Sequence, residues 1–157
     1  MKRMKKIAFI LIGLSCITGS SYLIWQDIFV DPYIPRGYTD SMENREETPW
    51  MDWTDFCWYQ YTSANDISLT EDYQQVTEKD VSSIKGYFSH TRMSLECANR
   101  LAEFEFVPAC INEGDAWLLF TSEGEPRGTG TYEKYDNYKM YFFDTESERL
   151  YYINNNS

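Results

Sequence analysis

Tyr138-Lys139-Met140-Tyr141-Phe142-Phe143-Asp144, then Thr145 to Glu148, then Arg149-Leu150-Tyr151-Tyr152-Ile153-Asn154-Asn155, is the stretch whose reading decides the fold. Two apolar, aromatic-rich runs joined by a short polar loop predict a β-hairpin. With Asp144 opposite Arg149, the register sets Phe143 against Leu150, Phe142 against Tyr151, Tyr141 against Tyr152 and Met140 against Ile153. Side chains alternate along a strand, so Met140, Phe142, Tyr151 and Ile153 share one face, and Tyr141, Phe143, Leu150 and Tyr152 share the other. Neither face suits water. Helices can cover one of them; the other needs more of the chain, a partner or a ligand with flat apolar surfaces. Tyr141, Phe143, Leu150 and Tyr152 are therefore the candidate interaction surface.

Upstream, Ala116 to Thr121 reads as a short strand bounded by Gly114 and by the turn-forming run Glu123 to Gly128. Phe56 to Tyr61 is apolar on both faces and reads as a central strand. Ser63 to Tyr73 is polar and loop-like. Thr77 and Asp80 have the spacing of a capping box, and Val81, Ile84 and Phe88 recur at helical intervals, which predicts a helix. Ser89 to Thr91 would interrupt it, and Met93, Cys97, Leu101 and Phe104 would form the stripe of a second helical stretch ended by Pro108. The expected fold is α+β: one or two helices packed on an antiparallel sheet of about four strands.

An N-terminal membrane segment is expected to precede this domain. Lys2, Arg3, Lys5 and Lys6 are followed by a run from Ile7 to Trp25 without a charge, long enough to span a bilayer, with Trp25 where an interfacial aromatic would stand. Three fates are open: an anchor, a signal cleaved near Gly19, Ser20 and Ser21, or a lipidated Cys16, although Gly13 and Leu14 fit the last poorly. Each sends the remainder out of the cytoplasm, so the expected location is the cell membrane, or else a secreted or lipid-anchored form. Residues 1–25 would be the membrane segment and 26–54, with Pro32, Pro35, Pro49 and the acids Glu43, Glu46 and Glu47, a stiff acidic tether. Residues 55–157 then form the single domain.

Charge sets the partners. All 25 acidic residues follow Trp25, against 10 of the 14 basic ones, so that portion carries −15. Such a field repels nucleic acid and attracts basic proteins. Cys57, Cys97 and Cys110 lie beyond the membrane segment. A Cys97–Cys110 bridge would close a loop of about 14 residues for roughly 3 kcal/mol, yet either residue serves equally well as a free thiol. No metal site is expected, because the cysteines lack a close pair and His90 is the sole histidine. Nor does an enzyme emerge. His90 reads as a loop histidine; the acid pairs Glu103 with Glu105 and Glu113 with Asp115 could serve glycosidic chemistry but read as solvated; and Gly128-Thr129-Gly130 lacks the strand-then-helix setting of a phosphate loop. No cofactor is implied.

Tyr135-Asp136-Asn137-Tyr138, Phe142-Phe143-Asp144-Thr145 and Leu150-Tyr151-Tyr152-Ile153 resemble the C-terminal end of a family of small exported or membrane-anchored proteins of clostridial and gut bacteria. In that family a strand with paired tyrosines and a helix with an acidic start come earlier, as Tyr59 and Tyr61 and Glu78 to Asp80 do in this chain. The resemblance implies a bacterial origin and transfers no activity. The function expected from the whole is a non-enzymatic, membrane-tethered protein-binding or inhibitory module of immunity type, held to a bilayer through residues 7–25 and meeting a basic protein. The alternative is an envelope sensor that binds sugar or cell-wall fragments through an aromatic sheet face.

Overall fold

The structure, a computed structural model, describes residues 31–45, 53–64, 67–106, 110–121 and 137–156. In chain order its elements are β1 (Asp40–Asn44), β2 (Trp53–Gln60), β3 (Gln74–Gln75), α1 (Glu78–Cys97), a 3-10 turn at Leu101–Glu103, β4 (Ala116–Thr121), β5 (Asn137–Asp144) and β6 (Arg149–Asn156). The β5–β6 hairpin has the register read from the sequence, with Asp144 opposite Arg149, Phe142 opposite Tyr151 and Met140 opposite Ile153. Its turn is closed by a carboxylate. Asp144 Oδ1 accepts the Glu146 and Ser147 N–H groups at 3.0 and 3.2 Å, and Oδ2 accepts the Ser147 hydroxyl at 2.6 Å. Asp115, just before β4, accepts both the N–H and the hydroxyl of Thr145 and so locks the turn to the next strand.

All pairings are antiparallel, in the order β1-β2-β6-β5-β4-β3. The hairpin stands at the centre of the sheet. α1 starts at the capping box: Asp80 Oδ2 accepts the Thr77 N–H at 2.9 Å and its hydroxyl at 2.6 Å. The helix turns Ile84, Tyr87, Phe88, Thr91 and Leu95 onto the sheet, where they meet Phe56, Trp117, Leu119, Tyr138, Met140, Phe142, Tyr151 and Ile153. Aromatic rings centre this core. Phe88 stacks on Phe106 with centroids 3.4 Å apart, and Tyr151 stands edge-on to both, at 5.7 and 5.2 Å.

Several expectations need correction. The sheet has six strands, because Asp40–Asn44, within the stretch read as a tether, pairs with β2, and Gln74–Gln75 pairs with β4. Polar residues built these edge strands, so alternation of apolar residues gave no signal of them. Among the described residues there is one α-helix, not two. Thr91 does not break it, since its hydroxyl donates to the Tyr87 carbonyl at 2.9 Å within the helix. The helix ends instead at Asn99, which takes φ +58, with Arg100 N–H donating to Leu95 O and Asn99 N–H to Glu96 O, a left-handed cap. Because one helical phase runs through Leu95, Met93 and Cys97 turn outward and do not line a core stripe.

The membrane reading is corrected too. Residues 7–25 lie outside the described residues, and among those described no helix is long and apolar enough to cross a membrane. α1 has 20 residues but carries Glu78, Lys79, Asp80, Lys85, Arg92 and Glu96. With no spanning helix to rest on, the anchor, the bilayer partner, the placement outside the cytoplasm and the tethered inhibitor of a basic protein are not carried further. The chain divides into Met1–Ile34 and Pro35–Ser157. Of the first unit, residues 31–34 are described, a turn in which the Tyr33 N–H donates to the Asp31 carboxylate at 3.0 Å.

The aromatic core sets one test of the packing. Phe88→Ala removes the ring shared by Phe106, Phe142 and Tyr151 and is expected to cost about 3–5 kcal/mol, read as a lower urea midpoint at unchanged slope. A loss below about 1 kcal/mol would show that the helix does not pack on the sheet in this way.

Candidate functional site

The second face of the hairpin is inside the protein. Tyr141 and Leu150 are 0% exposed, and Phe143 and Tyr152 are 3% exposed. Among the described residues the cover comes from loops. Tyr61 stands edge-on to Phe143 at 6.2 Å, Tyr73 edge-on to Tyr141 at 6.4 Å, and the Arg45 guanidinium lies 5.4 Å from the centre of the Tyr152 ring. Tyr61 is fixed in turn, its hydroxyl donating to the Pro35 carbonyl at 2.7 Å. These four side chains are brought together as a second core, and in this arrangement no ligand reaches them.

An accessible feature among the described residues lies elsewhere. Where the last turns of α1 pass the start of β2 and the end of β6, they leave a groove of about 400 Å³, within the size range of small-molecule sites. Its strand side carries Trp53, Thr54, Asn155 and Asn156, and its helix side His90, Met93, Ser94, Leu95, Cys97, Ala98 and Arg100. Thr54 and Asn155 are partners across the β2–β6 ladder, and the Thr54 hydroxyl donates to Asn155 Oδ1 at 2.8 Å. The cap at Asn99 delivers Arg100 to one end. Its Nε donates to Asn44 Oδ1 at 2.9 Å, Nη2 donates to the same oxygen, and Nη1 donates to the Thr54 carbonyl at 3.1 Å. One guanidinium thus joins the helix end to β1 and β2.

His90 is not a loop residue. It sits in the fourth turn of α1 with Nδ1 3.3 Å from the Tyr138 hydroxyl, which is also 3.1 Å from Thr91 Oγ1 and 3.3 Å from the Tyr87 carbonyl. Glu113 and Asp115 do not converge either. Asp115 is buried and bound to Asn112 and Thr145, Glu113 is exposed, and Glu105 is exposed with its carboxylate 3.7 Å from Arg149. Among the described lining residues of the groove there is no Asp or Glu. No group of three His, Cys, Asp or Glu among the described residues is placed to hold a metal.

The three described cysteines are free thiols, so the Cys97–Cys110 bridge is not formed. They differ in chemistry. Burial, the larger cause, pushes the Cys57 thiol up to about 12. Burial, followed by the Asp144 carboxylate beside it, takes Cys110 up to about 12 as well. Cys97 is exposed in the groove. Sequence reading missed the groove because its residues come from the ends of three elements, and only the Asn99 cap could have signalled where the helix stops.

No protein-family model matches the chain, and comparisons with curated proteins and with solved structures likewise find no match. The class that fold and groove define, among the described residues, is an α+β domain with one α-helix on a six-stranded antiparallel sheet and a pocket at the helix C-terminus.

Two measurements follow from the thiols. Iodoacetamide at pH 8 is expected to alkylate Cys97 well before Cys57 or Cys110, as peptide mapping would read; equal rates would contradict the burial. A group whose pKa is raised by folding holds its proton more tightly in the folded state. Its contribution is complete below the unfolded pKa and lost as pH rises through the folded value. Cys57 and Cys110 rise from 9.0 to about 12, and Tyr151 from 10.0 to about 12, chiefly by burial. Stability to urea is therefore expected to fall between pH 9 and pH 12, and a flat profile there would count against these burials.

Proposed function

We propose that the domain is a non-enzymatic binding module for a small ligand of the sugar or cell-wall-fragment class, held in the groove against Trp53. The carrying observation is the composition of the groove: an indole beside a hydroxyl and two amides, with no carboxylate among the described lining residues. A sugar ring offers one face of C–H groups that packs on an aromatic plane, and a rim of hydroxyls that exchange hydrogen bonds with amides. On the strand side Asn156 is exposed and supplies a polar rim above the buried, mutually bonded Thr54 and Asn155. Hydrolysis of a glycosidic bond would instead require paired acids, one on each side of the scissile bond. Stacking on Tyr141 and Tyr152 is replaced in this reading by stacking on Trp53, because the former pair is core.

Thermal denaturation of the full chain against a panel of neutral sugars, amino sugars and muropeptides tests this. One class should raise the melting temperature, by an amount equivalent to about 2.7 kcal/mol at a hundredfold excess over Kd. Trp53→Ala should weaken that binding about tenfold, in line with the roughly 0.5–1.5 kcal/mol an aromatic contact adds beyond burial. Tyr38→Ala, which removes an exposed aromatic outside the groove, should leave it unchanged. Stabilisation by none of the panel would overturn the proposal.

A further inference from the structure

The two walls of the groove differ in polarity. The strand wall ends in the exposed amide of Asn156, above the bonded pair Thr54 and Asn155. The helix wall is a strip of soft apolar groups. Met93 is 53% exposed, one of two large apolar side chains so exposed among the described residues, and Cys97 and Ala98 are exposed beyond it, with the Ser94 hydroxyl among them. Residues four apart on a helix are neighbours, so Met93 with Cys97, and Ser94 with Ala98, make adjoining rows. A thioether on an unbranched chain adapts its shape to what it meets, and a cysteine side chain behaves as a small hydrophobe.

A plain hexose suits only part of this groove. Its one face of C–H groups is taken by Trp53 in the reading above, and its rim of hydroxyls suits amides. Hydroxyls turned to the helix wall would be stripped of water by Met93, Cys97 and Ala98 and would gain no partner from them, which is unfavourable. That wall asks instead for a compact apolar group on the rim of the sugar. Resting on the sugar reading, we propose that the ligand is an N-acetylated amino sugar, seated with its acetamido methyl on Met93. The acetamido N–H and C=O are one donor and one acceptor, which the Ser94 hydroxyl and the Asn156 amide are equipped to meet. Charge points the same way. The acetamido group is neutral, the described lining residues include no Asp or Glu to pair with the ammonium of a deacetylated ring, and a net charge of −11 repels sugar acids at a distance. Met93 is then a specificity-determining residue, which gives an exposed thioether a use outside the core.

The test is calorimetric titration of the full chain with two neutral disaccharides of the same linkage, N,N′-diacetylchitobiose and cellobiose. They differ in acetamido against hydroxyl groups and feel the charge of the protein alike. Diacetylchitobiose should bind at least about tenfold tighter, the lower end of what one fitted apolar group is worth. Met93→Ala, at an exposed position, should cut that preference to about twofold or less and leave cellobiose binding unchanged, whereas Met93→Leu should keep it. Equal binding of the two disaccharides, or a preference unchanged in Met93→Ala, would overturn this proposal and leave the sugar reading standing. Binding of neither would overturn it as well, and whether the sugar reading falls with it is read separately, from the wider panel and from Trp53→Ala.

Discussion

A central hairpin that is apolar on both faces is the constraint on which the rest of the structure depends. Most antiparallel sheets keep one face for water. Here β5 and β6 place Phe142 and Tyr151 on one side and Tyr141, Phe143 and Tyr152 on the other, all buried. A single helix can cover only one side. Among the described residues the other side is closed by Tyr61, Tyr73 and Arg45, held by specific contacts. Burial of this second face consumes the tyrosines that would otherwise have made a recognition surface.

The two covers are unequal in kind, and that inequality locates the groove. The helix face is packed by ring on ring from Phe56 to Phe142, and the packing ends where α1 ends. Beyond Leu95 the helix has no apolar residue pointing at the sheet, yet β2 and β6 continue to Trp53 and Asn156. Strand ends that outrun the helix core leave a depression with polar β-residues at its base. Arg100 keeps it from collapsing, since its hydrogen bonds to Asn44 and Thr54 fix the chain after the helix against two strands.

How much of this was legible in the sequence differs by element for physical reasons. The hairpin register could be read because a short polar loop and strict alternation leave one pairing that keeps like side chains together; a slip by one would exchange the faces. The helix start could be read from Thr77 and Asp80, whose side chains do what their spacing implies. Its end could not. Asn99 is one of several polar residues after Cys97, and only the backbone shows that it takes the left-handed conformation. Reading the helix as two pieces then put Met93 and Cys97 on a core stripe, whereas two residues beyond Leu95 is about 200° around a continuous helix, facing away from the core. β1 was illegible because Asp40, Ser41, Glu43 and Asn44 carry no apolar alternation; an edge strand is stabilised by its ladder and tolerates charge, which also discourages further pairing. The candidate surface Tyr141, Phe143, Leu150 and Tyr152 was correctly gathered on one face, but whether a face is covered depends on distant loops that local pattern does not encode.

Electrostatics gives the groove its remaining character. A chain with 25 acidic residues and 14 basic ones carries a net charge of −11, and anionic ligands are repelled at a distance. The two most buried acids, Asp115 and Asp144, are not part of that field's chemistry, because each is saturated by turn donors around the hairpin loop. What is left for recognition is a depression whose described lining residues are an indole, amides, hydroxyls, sulfur atoms, one imidazole and one guanidinium. Hydroxyl-rich neutral molecules lose little on approaching an acidic domain.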